Sequence, residues 1–211
     1  MVQTPIQSGR TTPRPARSGR AVGWLGGIAA VALLLDVVTK EAATKLLDPA
    51  EPVRLLGGVL YLSLTRNAGA AFSLLRDFTF VFPVITLAVI VWIGWMARTL
   101  RSRPWAVALG LVLGGALGNL LDRLFRAPGP FQGHVVDFFS LFNPYGQVWP
   151  IFNIADMALV GGVCLAVVLE LLGRHRDGTR VAGRGTAAAQ EPVQAQRPQD
   201  SVPSASAADE R

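Results

Sequence analysis

Long apolar runs alternate with short polar stretches along this 211-residue chain. The runs cover Ala21–Val38, Phe78–Ala97, Pro104–Leu121 and Ile151–Leu172. Each is about 18 residues or longer, enough for an apolar helix to cross the roughly 30 Å hydrocarbon core of a bilayer. From Glu41 to Asp77 hydrophobicity drops. Pro49, Pro52, Gly57 and Gly58 punctuate that stretch, and Leu60-Tyr61-Leu62-Ser63-Leu64-Thr65 alternates apolar with polar. Such alternation predicts a strand in a small extramembrane sheet. In the third run Gly110, Gly114 and Gly118 recur every four positions, which sets a flat seam on one helix face for close packing. The pattern predicts a membrane all-α fold, a four-transmembrane-helix bundle with a small extracytoplasmic sheet.

Composition agrees. Hydrophobic residues make up 51% and charged residues 16%, with a mean hydropathy of +0.39. That is too apolar for an ordinary soluble domain of this size. The net charge of +6 raises the question of nucleic acid, but the arginines lie in the tails and one loop without aromatic interleaving, which argues against it. The single cysteine, Cys164, excludes an intrachain disulfide and a cysteine metal cluster and reads as a small packing residue. His134 and His175 assemble no ligand-spaced set, so neither a metal nor another cofactor is expected.

The arginines orient the spans. Arg10, Arg14, Arg17 and Arg20 precede the first. Arg98, Arg101 and Arg103 join the second to the third, and Arg174, Arg176 and Arg180 follow the fourth. Basic loops stay on the cytoplasmic side. Both termini are therefore expected in the cytoplasm, with 41–77 and 122–150 outside. Residues 1–20 read as a disordered basic arm, 21–172 as the membrane domain and 173–211 as a disordered tail. This topology gathers polar residues into one outer layer: Asp36, Lys40, Asn67, Asn119, Asp122, Arg123, Asp137, Asn153 and Asp156.

Asp137 and Asp156 carry the candidate chemistry. A carboxylate beside a lipid-facing run costs about 2.5–3.5 kcal/mol even on mild insertion scales. Pro144, Gly146 and Pro150 break any continuous helix between the two, so the chain can turn back and bring them together. Paired carboxyls with separated titrations can activate a water and protonate a carbonyl. The competing assignment is a helix cap or an arginine partner for each. Asp122-Arg123 is either a structural pair or a substrate contact. Asn119 and Asn153 either orient carboxylates or bond between helices. Asn67 to Ser73 taken alone reads as a turn, and Asp36 and Lys40, four apart, as a structural ion pair.

Five stretches together resemble the lipoprotein signal peptidase family, also called signal peptidase II. They are Asp36-Val37-Val38-Thr39-Lys40, Asn67-Ala68-Gly69-Ala70-Ala71-Phe72-Ser73, Gly115 to Arg123, His134-Val135-Val136-Asp137-Phe138 and Phe152-Asn153-Ile154-Ala155-Asp156. They occur in the family's order within residues 21–172. The resemblance implies an intramembrane aspartic endopeptidase of the bacterial inner membrane. Its substrate is a prolipoprotein bearing a diacylglyceryl cysteine, cut just before that cysteine. The catalytic dyad falls on Asp137 and Asp156. Supporting residues fall on Asn67, Gly69, Asn119, Arg123 and Asn153, with Asp36 and Lys40 holding the site. The resemblance also implies an outer β-cradle within about 41–77, an amphipathic segment near Leu74–Phe78, contact with membrane lipid, an active site near the outer face, and inhibition by the cyclic peptide globomycin. The segment Leu124–Gly133 is longer than the family pattern. A signal helix is expected to find room beside Gly114 and Gly118. The alternative function is a small ion- or proton-coupled transporter, or a non-enzymatic membrane adaptor, distinguished by acids near the bilayer midplane.

Overall fold

The computed structural model describes residues 18–69 and 81–180. Four helices and three strands follow in chain order: α1 (Ser18–Leu46), β1 (Val53–Leu55), β2 (Leu60–Asn67), α2 (Val81–Ala97), α3 (Arg103–Phe125), β3 (Val135–Leu141) and α4 (Ile154–Leu171). Gly19–Leu46, Arg103–Phe125 and Ile154–Leu171 are long and apolar enough to cross a membrane, while the described apolar part of α2 is shorter. The expected amphipathic segment and the first seventeen residues of the basic arm lie outside the described residues.

α3 is the central helix and touches the other three. Its glycines explain how. A Cβ on Gly110 would lie 2.8 Å from the Leu25 carbonyl oxygen, and one on Gly114 would lie 2.6 Å from that of Ala29, so this seam is filled by the backbone of α1. A side chain on Gly118 would collide with Asp36. The seam therefore serves helix packing, as its spacing predicts, but the room expected there for a signal helix is already occupied. Gly115 turns a second smooth face to Ala155 and Leu159 of α4, and Gly162 of α4 returns the contact, 2.7 Å from the Ala108 oxygen by the same measure. Without a hydrophobic drive between helices in lipid, such close backbone approach supplies much of the cohesion. Ile93, Leu100, Trp105, Ala106 and Leu109 fill the core at one end of the bundle.

α1 runs eight residues past the end expected for the first span, because its charges are satisfied inside the protein. Lys40 Nζ lies 2.7 Å from Asp36 Oδ2 and 2.9 Å from Asp122 Oδ2. The helix stops only before Asp48-Pro49, where proline disfavours helical backbone in the preceding residue.

The sheet is antiparallel in the order β1-β2-β3. β2 lies within the expected cradle, whereas residues 41–46 belong to α1. The third strand comes from the connection between α3 and α4 and was not predicted. Val135 to Phe138 are buried on both faces, so the period-2 signature of a half-solvated strand is missing. Beneath the sheet Val136 and Phe138 pack with Ala43 of α1.

The expected tail boundary at 173 is also corrected. Arg174 and Arg180 form an antiparallel bridge. Arg176 O accepts Arg101 N at 2.9 Å and Ser102 N at 3.0 Å, so residues 174–180 are fastened to the α2–α3 connection. Likewise Ser18, Gly19 and Arg20, placed in the arm by sequence, open α1.

Candidate active site

β3 and the start of α4 bring the two carboxylates together. β3 sets Asp137 opposite Thr65 and Val135 opposite Asn67. After β3 the chain reverses with Gly146 at a positive φ of 68°. It returns at Phe152, which bridges Phe139 through N–H···O bonds of 2.8 and 2.9 Å. The next residue, Asn153, caps α4. Its Oδ1 accepts Asp156 N at 2.9 Å, and Asp156 Oδ2 accepts Asn153 N at 3.2 Å. This is a reciprocal capping box, with aspartate where glutamate is usual. The same Asn153 amide donates its Nδ2 to Asp137 Oδ1 at 2.6 Å. One buried side chain thus caps the helix that carries Asp156 and holds Asp137.

Asn67 donates Nδ2 to the other Asp137 oxygen, Oδ2, at 2.9 Å. Its own Oδ1 accepts Gly69 N at 2.8 Å, which orients the amide. Gly69 has φ +103°, a backbone state that side chains resist, so glycine suits this tight return.

A second network holds Asp156 from behind. Asn119 Nδ2 donates to Asp156 Oδ1 at 2.8 Å, while Asn119 Oδ1 accepts Lys40 Nζ at 3.0 Å and Asn153 Nδ2 at 3.1 Å. Lys40 is therefore shared among Asp36, Asp122 and Asn119. Asp36 Oδ1 accepts Ala155 N at 2.9 Å, taking one of the amides left without an intrahelical partner in the first turn of α4. Asp122 Oδ2 also accepts Val136 N at 3.1 Å, and its Oδ1 meets Arg126 Nε at 2.5 Å. Asp122 is a structural tie: its oxygens join α3 to α1, to β3 and to Arg126. Arg126 in turn reaches Glu41 at 2.9 Å. Arg126 is the third residue of the long Leu124–Gly133 segment, whose Gly133 N also donates to Arg123 O at 3.1 Å.

Asp137, Asp156, Asn67, Asn119 and Arg123 line one cleft of about 240 Å³, with Val135, Ala116, Leu159 and three α2 residues, Ile85, Thr86 and Val89. Asp36, Lys40 and Asn153 are buried behind it. The α2 wall was not foreseen. Its signal was Thr86, the one hydroxyl in an otherwise apolar Val81–Ala97. Asp137 is 1% exposed, whereas Asp156 is partly exposed. Burial above all, and the nearby Asp156 charge, push the Asp137 carboxyl up to about 7, against the opposing hydrogen bonds from Asn67 and Asn153 and the Lys40 charge. A buried carboxyl that holds its proton near neutrality, beside a more exposed carboxylate, can polarise a carbonyl while its partner activates a water.

Residues 28–172 match the family model for signal peptidase (SPase) II. The chain is 49% identical over 170 residues to the lipoprotein signal peptidase of Mycobacterium avium (strain 104), covering 81% of this chain and 90% of the relative. It is 44% identical over 186 residues to that of Mycobacterium tuberculosis (strain ATCC 25618 / H37Rv), covering 84% and 90%. A solved bacterial membrane enzyme, determined by the in meso method at 1.9 Å resolution, superposes with a TM-score of 0.61 at 28% identity, over 76% of this chain and 97% of the other.

Proposed function

The chain belongs to the signal peptidase II family, and we propose that Asp137 and Asp156 are the dyad with which it works. It is an aspartic peptidase that removes the signal peptide from prolipoproteins. The observation carrying the dyad is the shared Asn153 amide, which caps the helix of one carboxyl and bonds the other.

The buried Asp137 holds the proton and the more exposed Asp156 is the base. Asp156 takes a proton from water as its oxygen attacks the scissile carbonyl carbon. Asp137 gives its proton to the carbonyl oxygen, and a neutral gem-diol forms. On collapse Asp137 recovers a proton from a gem-diol hydroxyl, and Asp156 passes its proton to the departing amine. Asn67, Gly69, Asn119 and Asn153 fix the carboxyls, Asp36 and Lys40 brace Asn119 and α4, and Arg123 offers its guanidinium to a substrate carbonyl. Globomycin would block the same cleft.

The substrate bears a diacylglyceryl cysteine and is cut just before it. The protein spans the bacterial inner membrane four times with both termini cytoplasmic. The sheet forms an outer cradle, and the acyl chains stay in the outer leaflet among membrane lipids. Residues 18–180 form the peptidase domain, flanked by a cytoplasmic arm and tail. A transporter needs acids near the midplane reachable from both sides, whereas Asp137 lies in a strand and Asp156 in the first turn of α4.

Cleavage of a diacylglyceryl-modified prolipoprotein in detergent tests the dyad. Asp137→Asn and Asp156→Asn are each expected to lower turnover by roughly a thousandfold or more. Near-normal turnover in either folded variant would refute it. Because Asp137 must be protonated, wild-type turnover is expected to fall as pH rises through about 7.

A further inference from the structure

We propose that the end of the bundle opposite the aspartates carries a binding site for an anionic phospholipid headgroup, built where the α2–α3 connection meets the turn after α4. The turn is a closed structure. His175 N donates to Thr179 O at 3.0 Å and Gly178 N to His175 O at 3.1 Å. Asp177 Oδ1 accepts Thr179 N at 2.9 Å and Thr179 Oγ1 at 2.6 Å. Two attachments hold it against the bundle: the paired amides of Arg101 and Ser102 on Arg176 O, and the Trp105 indole donating to Arg174 O at 2.5 Å.

This fastening brings Arg98, Arg101 and Arg103 together with Arg174, Arg176 and Arg180. The ion pairs among the described residues all involve Lys40 or Arg126, so none of the six is neutralised by an acid. All are exposed except the half-buried Arg174. Between the two segments lies an open cleft of about 490 Å³ whose lining includes Thr99, Trp105, His175 and Arg176. Arg176 is the arginine in its lining, alongside Glu170 and Asp177; the other five stand on the two segments around it, and the six outnumber these two acids.

The neighbouring surface selects the ligand. Exposed Trp95 lies one turn before Arg98, and exposed Leu171 and Leu172 directly precede the turn. A ligand meeting both surfaces has an anionic head for the guanidiniums and apolar chains for the helix ends. A phospholipid satisfies both, whereas a free anion or a nucleic acid leaves the apolar border uncovered. Basic pockets between membrane helices bind anionic headgroups in this way, and arginine's fork suits a phosphate. The site is independent of the peptidase dyad.

Full-length protein in zwitterionic micelles is titrated with phosphatidylglycerol, phosphatidylcholine or inorganic phosphate, reading bound lipid by native mass spectrometry and the thermal unfolding midpoint. Phosphatidylglycerol is expected to bind and raise the midpoint, and the other two to do neither. Each arginine removed should weaken binding roughly fivefold, so Arg101→Gln with Arg176→Gln should lose about 25-fold. The corresponding lysine pair should retain most of the affinity, and prolipoprotein cleavage in lipid-free micelles should be unchanged in both. If the glutamine pair fails to fold, Arg98→Gln with Arg180→Gln replaces it with the same expectation. Equal binding of phosphatidylcholine, an equal midpoint rise with phosphate alone, or glutamine variants within twofold of wild type would overturn the proposal.

Discussion

Asp137 shows how one residue's burial links stability to function. Its folded pKa of about 7 lies above the ordinary value of 3.8, so its charged form is disfavoured in the folded state. A carboxyl shifted upward contributes its stability fully below about pH 4 and loses it as pH rises through 7. Asp137→Asn has no such titration. Its unfolding midpoint relative to wild type is therefore expected to move in the variant's favour between pH 5 and pH 9, measured by thermal unfolding in detergent. Parallel pH curves would contradict the assignment. Lys40 is the opposite case, a buried charge whose cost is met by partners on every side. Lys40→Met leaves Asp36 and Asp122 without their shared cation, and loss of one partner from a buried ion pair costs about 3–5 kcal/mol. Adding Asp36→Asn to that variant should recover part of the loss, because it removes one of the stranded carboxylates. The residues of this network were legible in sequence because acids and amides at the ends of apolar runs have few structural excuses. Their wiring was not: that Asp36 caps α4, or that Asp122 bonds β3, depends on contacts across more than 100 and 14 positions respectively.

Among the elements, the glycine rows of α3 and α4 separate packing from mere composition. Gly114 touches the α1 backbone, so no flexible side chain can give way there. Gly114→Leu is expected to force α1 from α3 and to lower the unfolding midpoint sharply. Gly161, in the neighbouring helix, meets nothing within 4 Å. Gly161→Ala should leave the protein as stable as wild type or better by up to about 1 kcal/mol, since alanine is the stronger helix former. Equal damage from both would mean the seam does not hold the bundle. Four-residue spacing announced the seam but not its partner, so a helix of this protein rather than of a substrate fills it. The strands divide in the same way. β2 was legible from its alternation, whereas β3 is buried on both faces and pairs with a segment about 70 positions away. Local periodicity carries neither fact.

At the scale of the whole molecule, the two ends of the bundle are chemically opposite. One end gathers the capping box, the buried Lys40 network and the cleft. The other gathers unneutralised arginines and the latched turn. Basic segments tend to stay in the cytoplasm, so the same asymmetry that placed the polar layer in sequence is expected to set the direction of insertion. Single cysteines in a Cys164→Ser background test it. Tyr145 is exposed in the loop between β3 and α4, and Ser102 sits at the start of α3 beside the basic turn. In intact spheroplasts a membrane-impermeant maleimide is expected to label Tyr145→Cys and not Ser102→Cys, with both labelled once the membrane is opened. The reverse pattern would put the aspartates on the cytoplasmic side. A diacylglyceryl substrate anchored in the outer leaflet would then be unable to present its scissile bond to them.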